Sequence, residues 1–220
     1  MIKTIANVKG LGKIVKVCSN LYNELQELKQ ARAGLISPRD EAYARIQTKG
    51  KENIGKSYGT WTSAGLEYMK REFPLLNLQS RLLNPQLAKA AVEVNRAERY
   101  FSTNDTKAYE TSFKQAEKDK NKKPSERKVI ILPSRNNFEM APKKNWETAQ
   151  GLLQDQAEEY FELNNEFPMA MYLVEPEIVD KQKGTMLIQL WFRNLDNRSG
   201  FDGYNRGLDG DCRARGVRAA

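Results

Sequence analysis

Residues Gly50-Lys51-Glu52-Asn53-Ile54-Gly55-Lys56-Ser57 match the pattern G-x-x-x-x-G-K-[ST] letter for letter. In that chemistry backbone N–H groups wrap nucleotide phosphates, the lysine reaches the β- and γ-phosphates and the hydroxyl ligates Mg²⁺. Gly50, Gly55, Lys56 and Ser57 would carry those roles here. A second candidate is the basic run from Lys114 to Lys128. There Lys114, Lys118, Lys120, Lys122, Lys123, Arg127 and Lys128 face only Glu117, Asp119 and Glu126. Lys118, Lys120, Lys122, Lys123, Arg127 and Lys128 could contact nucleic-acid phosphates. No aromatic residue interrupts the run, so nothing in it can stack on bases. A solvated helix end and linker is the plainer reading. The third candidate is the tail from Asn194 to Gly216, built chiefly of Asn, Asp, Gly, Arg and Ser.

Other chemistries are disfavoured. The chain has no histidine, which removes the commonest general base, the Ser–His and Cys–His pairs and the commonest transition-metal ligand. Its two cysteines, Cys18 and Cys212, lie at opposite ends and argue against a structural zinc site. They read as independent thiols in a reducing compartment. Asp202, Asp209 and Asp211 offer hard oxygens for calcium. The spacing of a calcium-binding helix–loop–helix is missing, however, and Arg206, Arg213 and Arg215 oppose a cation. The expectation is no catalytic residue, no metal and no cofactor.

Positioning decides the first motif. A phosphate-binding loop must join a buried parallel strand to a helix, so that the helix N-terminus faces the phosphates. Upstream stands Arg45-Ile46-Gln47-Thr48-Lys49, which is not an apolar run, and downstream Tyr58-Gly59-Thr60-Trp61 starts a helix poorly. Those flanks favour a basic loop.

The wider pattern reads as helical first. Ile2, Ile5, Val8, Leu11, Ile14, Val15, Leu21, Leu25 and Leu28 follow helical spacing. Gly10 and Gly12 each cost a helix about 1 kcal/mol against Ala, so regular helix is predicted from near Gly12. Ser37-Pro38 caps a helix to about Gln47, Leu66–Phe73 reads as a short helix, and Asn84-Pro85 opens another. Thr106–Lys120 continues helical. Strands are predicted at residues 129–132, 169–174 and 185–192, with a helix from Trp146 to about Leu163 between them. The fold class expected is α+β, with a helical scaffold over residues 1–120. Residues 121–220 would form a small α+β unit with a mainly antiparallel sheet and polar C-terminal loops.

The tail supports a resemblance. Trp191-Phe192-Arg193-Asn194-Leu195-Asp196-Asn197-Arg198-Ser199-Gly200-Phe201, and the close on Arg213-Ala214-Arg215-Gly216-Val217-Arg218, resemble the C-terminal end of C-type-lectin-like domains. Lys144-Asn145-Trp146-Glu147-Thr148-Ala149 is similar to an early W-x-x-A helix of that group. The tail also resembles the variable region of diversity-generating retroelement target proteins. The resemblance covers about 90 residues and lacks the paired cysteines and sugar motif of secreted lectins. It implies a partner-contacting surface at Trp191, Asn194, Asp196, Asn197, Arg198, Ser199, Asp202, Tyr204, Asn205, Arg206, Asp209 and Asp211.

The function expected is therefore non-enzymatic binding or assembly, with a protein partner or self-assembly and a phage or mobile-element origin. Nucleotide and nucleic-acid binding are the alternatives. Net charge is +8, which permits acidic partners without demanding them. No apolar run approaches the ~18 residues of a membrane span, and Met1-Ile2-Lys3-Thr4 does not begin a secretory signal. Cytoplasm, or a particle assembled there, is the expected location.

Overall fold

Residues 3–19 form a β-hairpin, not the helix that their apolar spacing predicts. In the computed structural model, which describes residues 2–49, 54, 59–97, 100–195, 199–203, 208 and 212–218, β1 (Lys3–Val8) pairs antiparallel with β2 (Gly12–Ser19). The turn between them holds Gly10 at φ 81° and Gly12 at φ 100°, a left-handed geometry that favours glycine. Helical spacing misleads here because β2 is covered on both faces. Ile14 packs with Val8 and Ile36 on one side, while Val15 and Val17 pack with Leu28 on the other. A strand buried on both faces loses its polar–apolar alternation.

The chain continues with α1 (Leu21–Gln30), β3 (Gly34–Leu35), α2 (Pro38–Gln47), β4 (Thr60–Tyr68), β5 (Leu75–Asn77), α3 (Pro85–Asn95), β6 (Ser102–Thr103) and α4 (Lys107–Asp119). There follow β7 (Val129–Ile131), β8 (Phe138–Met140), α5 (Trp146–Leu153), α6 (Ala157–Leu163), β9 (Met169–Leu173), α7 (Pro176–Val179), β10 (Thr185–Phe192), β11 (Gly200–Gly203) and β12 (Cys212–Arg218). The helix starts read from sequence hold at two places. Ser37 accepts from Asp40 N ahead of Pro38, and Asn84 accepts from Gln86 N and Leu87 N ahead of Pro85. At Asn145 the start is not side-chain capped, since the residue is left-handed (φ 52°), and the helix beyond it breaks at Gln154–Gln156.

The strands join into one mixed sheet of order β1-β2-β12-β4-β10-β11-β9-β8. Most pairs are antiparallel, but β11 runs parallel to β9 and β12 parallel to β4. The expectation of a mostly helical N-terminal region is thus overturned, because β1–β6 all precede α4. Of the segment read as a helix at Leu66–Phe73, Leu66–Tyr68 instead end the long central strand β4, and Met69–Phe73 are turn and irregular chain beyond it. Its start, Thr60-Trp61-Thr62, is β-branched and aromatic, a composition that fits a pleated surface.

Alternation along β10 sorts two cores. Met186, Ile188, Leu190 and Phe192 face the larger core with α2, α5 and α6 residues such as Ala42, Leu152 and Tyr160. Leu187 and Trp191 face the other side, with Leu21 of α1 and Ala88, Ala91 and Val92 of α3. Helices therefore cover both faces of the central strands.

Candidate partner-binding surface

On the α3 side of the sheet, four adjacent strands place one residue each in a row. Trp61 of β4 pairs with Trp191 of β10, Trp191 with Asp202 of β11, and Asp202 with Tyr172 of β9. Directly paired residues share a sheet face. Trp61 is fully buried and meets Trp191 edge to face, with ring centroids 4.9 Å apart. The guanidinium of Arg193 lies 4.6 Å over the Tyr172 ring, within cation–π range. Trp191, Tyr172, Arg193 and Asp202 are half-buried, so each keeps part of its surface for another molecule. Aromatic anchors beside a cation and a carboxylate are the composition of recognition surfaces. A Cβ at Gly59 would overlap the Trp191 indole nitrogen and the Phe192 carbonyl, so the bare backbone there lets Trp191 lie against the sheet.

The polar tail connects to this row. Residues 194–198 leave the end of β10 and return at Ser199, and Arg193 N donates to Gly200 O across that closure at 2.9 Å. Residues 204–211 leave β11 at Gly203 and return into β12. Tyr68 donates its hydroxyl to Gly203 O at 3.1 Å and accepts from Val174 N at 3.3 Å. Burial pushes the Tyr68 phenol well above its ordinary range, so it remains a donor. Leu208 is buried in the α3-side core, and its N–H donates to Asn95 Oδ1 at 3.3 Å. At the far end, Glu24 of α1 is fully buried and accepts from Ala214 N (3.1 Å) and Ser19 N (3.2 Å). Burial pushes its carboxyl up to about 8, outweighing those two backbone N–H groups.

The residues singled out in the tail divide by placement. Trp191, Asn194 and Asp202 are half-buried near the row, and Ser199 is buried, its hydroxyl 2.9 Å from that of Tyr160. Asp196, Asn197, Arg198, Tyr204, Asn205, Arg206, Asp209 and Asp211 lie outside the described residues. Sequence reasoning missed Tyr172 and Arg193. The available signal was the alternation of Met169-Ala170-Met171-Tyr172-Leu173, in which both methionines and Leu173 are buried and Tyr172 points the other way.

Three cations of the basic segment have charged partners. Lys120 pairs with Glu117 at 3.1 Å and Lys122 with Asp119 at 2.8 Å. Arg127 binds Glu147 (2.9 Å) and the carbonyls of Lys120 and Lys122. Burial alone would raise the Asp119 carboxyl, but Lys122, the Lys128 N–H and Gln115 outweigh it and hold the group at about 2. Lys118, Lys123 and Lys128 are exposed. Gly50, Gly55, Lys56 and Ser57 lie outside the described residues, but their flanks are placed. Helix α2 precedes them and strand β4 follows, the reverse of the strand-to-helix order that a phosphate-binding loop uses. Among the described residues no cluster of three or more His, Cys, Asp or Glu could hold a metal ion, and no helix is long and apolar enough to cross a membrane.

No protein-family model matches the sequence, and no curated protein matches it. The structure is similar to a solved one from Nanoarchaeota, described as "Accommodation of massive sequence variation in Nanoarchaeota by the C-type lectin fold". The TM-score is 0.65 at 13% identity, over 94% of this chain and 97% of that chain. The likeness therefore spans the whole chain and not only its last 90 residues, and it shows that the chain adopts a C-type-lectin-like fold.

Proposed function

We propose that this protein is a non-enzymatic binding protein that recognises a protein partner through the row Trp191–Asp202–Tyr172–Arg193 and the polar segments 194–198 and 204–211 beside it. The observation that carries the reading is that the strand ends from which the two tail segments depart, Phe192 of β10 and Gly203 of β11, belong to the strands that carry this half-buried aromatic and charged row. The face of paired inner strands supplies rigidity, and loops supply adaptable polar groups. The similar solved structure is described as accommodating massive sequence variation. We carry that property to this chain and assign the variation between related copies to Asp196, Asn197, Arg198, Tyr204, Asn205, Arg206, Asp209 and Asp211. A diversity-generating element, phage-borne or otherwise mobile, suits the same reading.

The test is the triple variant Asp196→Ala, Tyr204→Ala, Asp209→Ala. Partner capture from the native source, repeated with the purified partner by calorimetry, should fall at least tenfold while the melting temperature stays within a few degrees of wild type. Retained binding, or collapse of the fold, contradicts the proposal.

A further inference from the structure

A buried polar cluster lies beneath the row, on the opposite face of the sheet. Arg45 of α2 is fully enclosed, its guanidinium carbon 4.1 Å over the Phe192 ring. Its Nε donates to Glu41 Oε1 at 2.8 Å, and its Nη1 donates both to Tyr160 OH at 2.8 Å and to the carbonyl of Arg193 at 2.6 Å. The Tyr160 hydroxyl in turn meets Ser199 Oγ at 2.9 Å. Arg193 and Ser199 are the residues on either side of segment 194–198. The same Glu41 Oε1 also accepts from Nη1 of Arg215, on the strand that receives segment 204–211. The backbone N–H of Arg215 donates to Thr60 Oγ1 at 3.0 Å, and its carbonyl accepts from Ile36 N at 2.9 Å.

Stability alone does not explain this arrangement. Replacing a buried ion cluster by well-packed apolar residues is often neutral or stabilising. Among the described residues Glu41 Oε2 and Arg45 Nη2 are buried without hydrogen-bond partners, which adds to the cost. What an arginine offers over an apolar side chain is a rigid fork of donors at fixed angles. Here that fork reaches the main chain at one end of segment 194–198 and, through Tyr160, the hydroxyl at its other end.

We propose that Glu41 and Arg45 are positioning residues that couple the described residues flanking the two tail segments, Arg193 and Ser199 at the first and Arg215 at the second, with Glu41 Oε1 as the shared joint. The proposal rests on the reading of those segments as the recognition surface, but the coupling is measurable without any partner. If partner recognition lies elsewhere, the coupling result still stands, so the two failures are distinguishable.

Hydrogen exchange read by mass spectrometry tests it on the full chain. Tyr160→Phe deletes one hydroxyl that touches only the first segment's side of the cluster. That hydroxyl meets both Arg45 Nη1 and Ser199 Oγ, and each buried hydrogen bond lost is worth about 1 kcal/mol, so exchange in the peptide covering residues 193–203 should quicken roughly fivefold or more. Coupling through Glu41 requires the peptide covering residues 212–218 to quicken too, by about twofold or more. Ser199→Ala should give the same pattern, and the double variant should be little worse than either single one. Tyr109→Phe, which loses a distant 2.6 Å bond to Phe73 O, should leave both peptides at wild-type rates. The proposal is overturned if Tyr160→Phe quickens residues 193–203 alone, quickens neither peptide, or quickens the whole chain evenly.

Discussion

Replacing Glu24 by Gln should make the protein more stable above neutral pH, and the effect should vanish in acid. Glu24 sits at 0% exposure between α1 and β12, and its carboxyl is pushed up to about 8 from an ordinary 4.5, first by burial. A group whose folded-state pKa is raised binds its proton more tightly in the folded protein. Its contribution is therefore complete below 4.5 and is lost as pH rises to about 8. Each pH unit in that window removes about 1.4 kcal/mol, so the whole interval is worth about 5 kcal/mol. Glutamine keeps an oxygen for Ser19 N and Ala214 N and carries no charge to bury. Urea unfolding at several pH values between 4.5 and 9 measures both proteins. The difference, Glu24→Gln minus wild type, should climb steadily from near zero in acid to several kcal/mol above pH 8. A difference that stays constant across the window would refute the reasoning, since it would mean that Glu24 titrates alike in the folded and unfolded chain.

Asp119→Asn should act at the opposite end of the scale. The wild-type carboxylate, held at about 2, contributes stability above its ordinary 3.8 that is lost as pH falls toward 2, and acid titration of circular dichroism should show that loss flattened in the variant. Gly59→Ala should force Trp191 off the sheet, costing about 1–3 kcal/mol and shifting tryptophan emission to the red. Leu208→Ala should cost about 2–4 kcal/mol in thermal unfolding, because the side chain is buried with Val92 and Leu187.

Parts of this architecture were legible because their signals are local. Ser37-Pro38 and Asn84-Pro85 state helix starts in two letters, and the apolar runs near residues 130, 171 and 188 state strands. The hairpin of β1 and β2 was not legible. Ile14 and Val15 point to opposite cores, so the run imitates a helix stripe, and only Gly10 and Gly12 marked the turn. Strand β4 was obscured in the same way, with Trp61 on one face and Leu66 and Tyr68 on the other. At the site, Trp191 and Asp202 could be read from composition. Tyr172 and Arg193 join them only through pairings between β9, β11 and β10 that no local pattern encodes. Glu41, Arg45 and Arg215 are interior, whereas such residues usually lie at the surface, and no local pattern marks them as buried. The sequence match at residues 50–57 ran the other way: its letters are complete, but the order of elements around it is inverted.

The central claim is that the face carrying Tyr172 and Trp191 meets a partner. Site-specific photo-crosslinking in the cells that make the protein tests it most directly, with a photoreactive phenylalanine analogue in place of Tyr172 and, as control, in place of the exposed Phe113 of α4. The account predicts one discrete crosslinked protein from position 172, absent from position 113 and lost when Asp196, Tyr204 and Asp209 are replaced. Equal crosslinking from both positions, or none from 172 while 113 captures a partner, would contradict it.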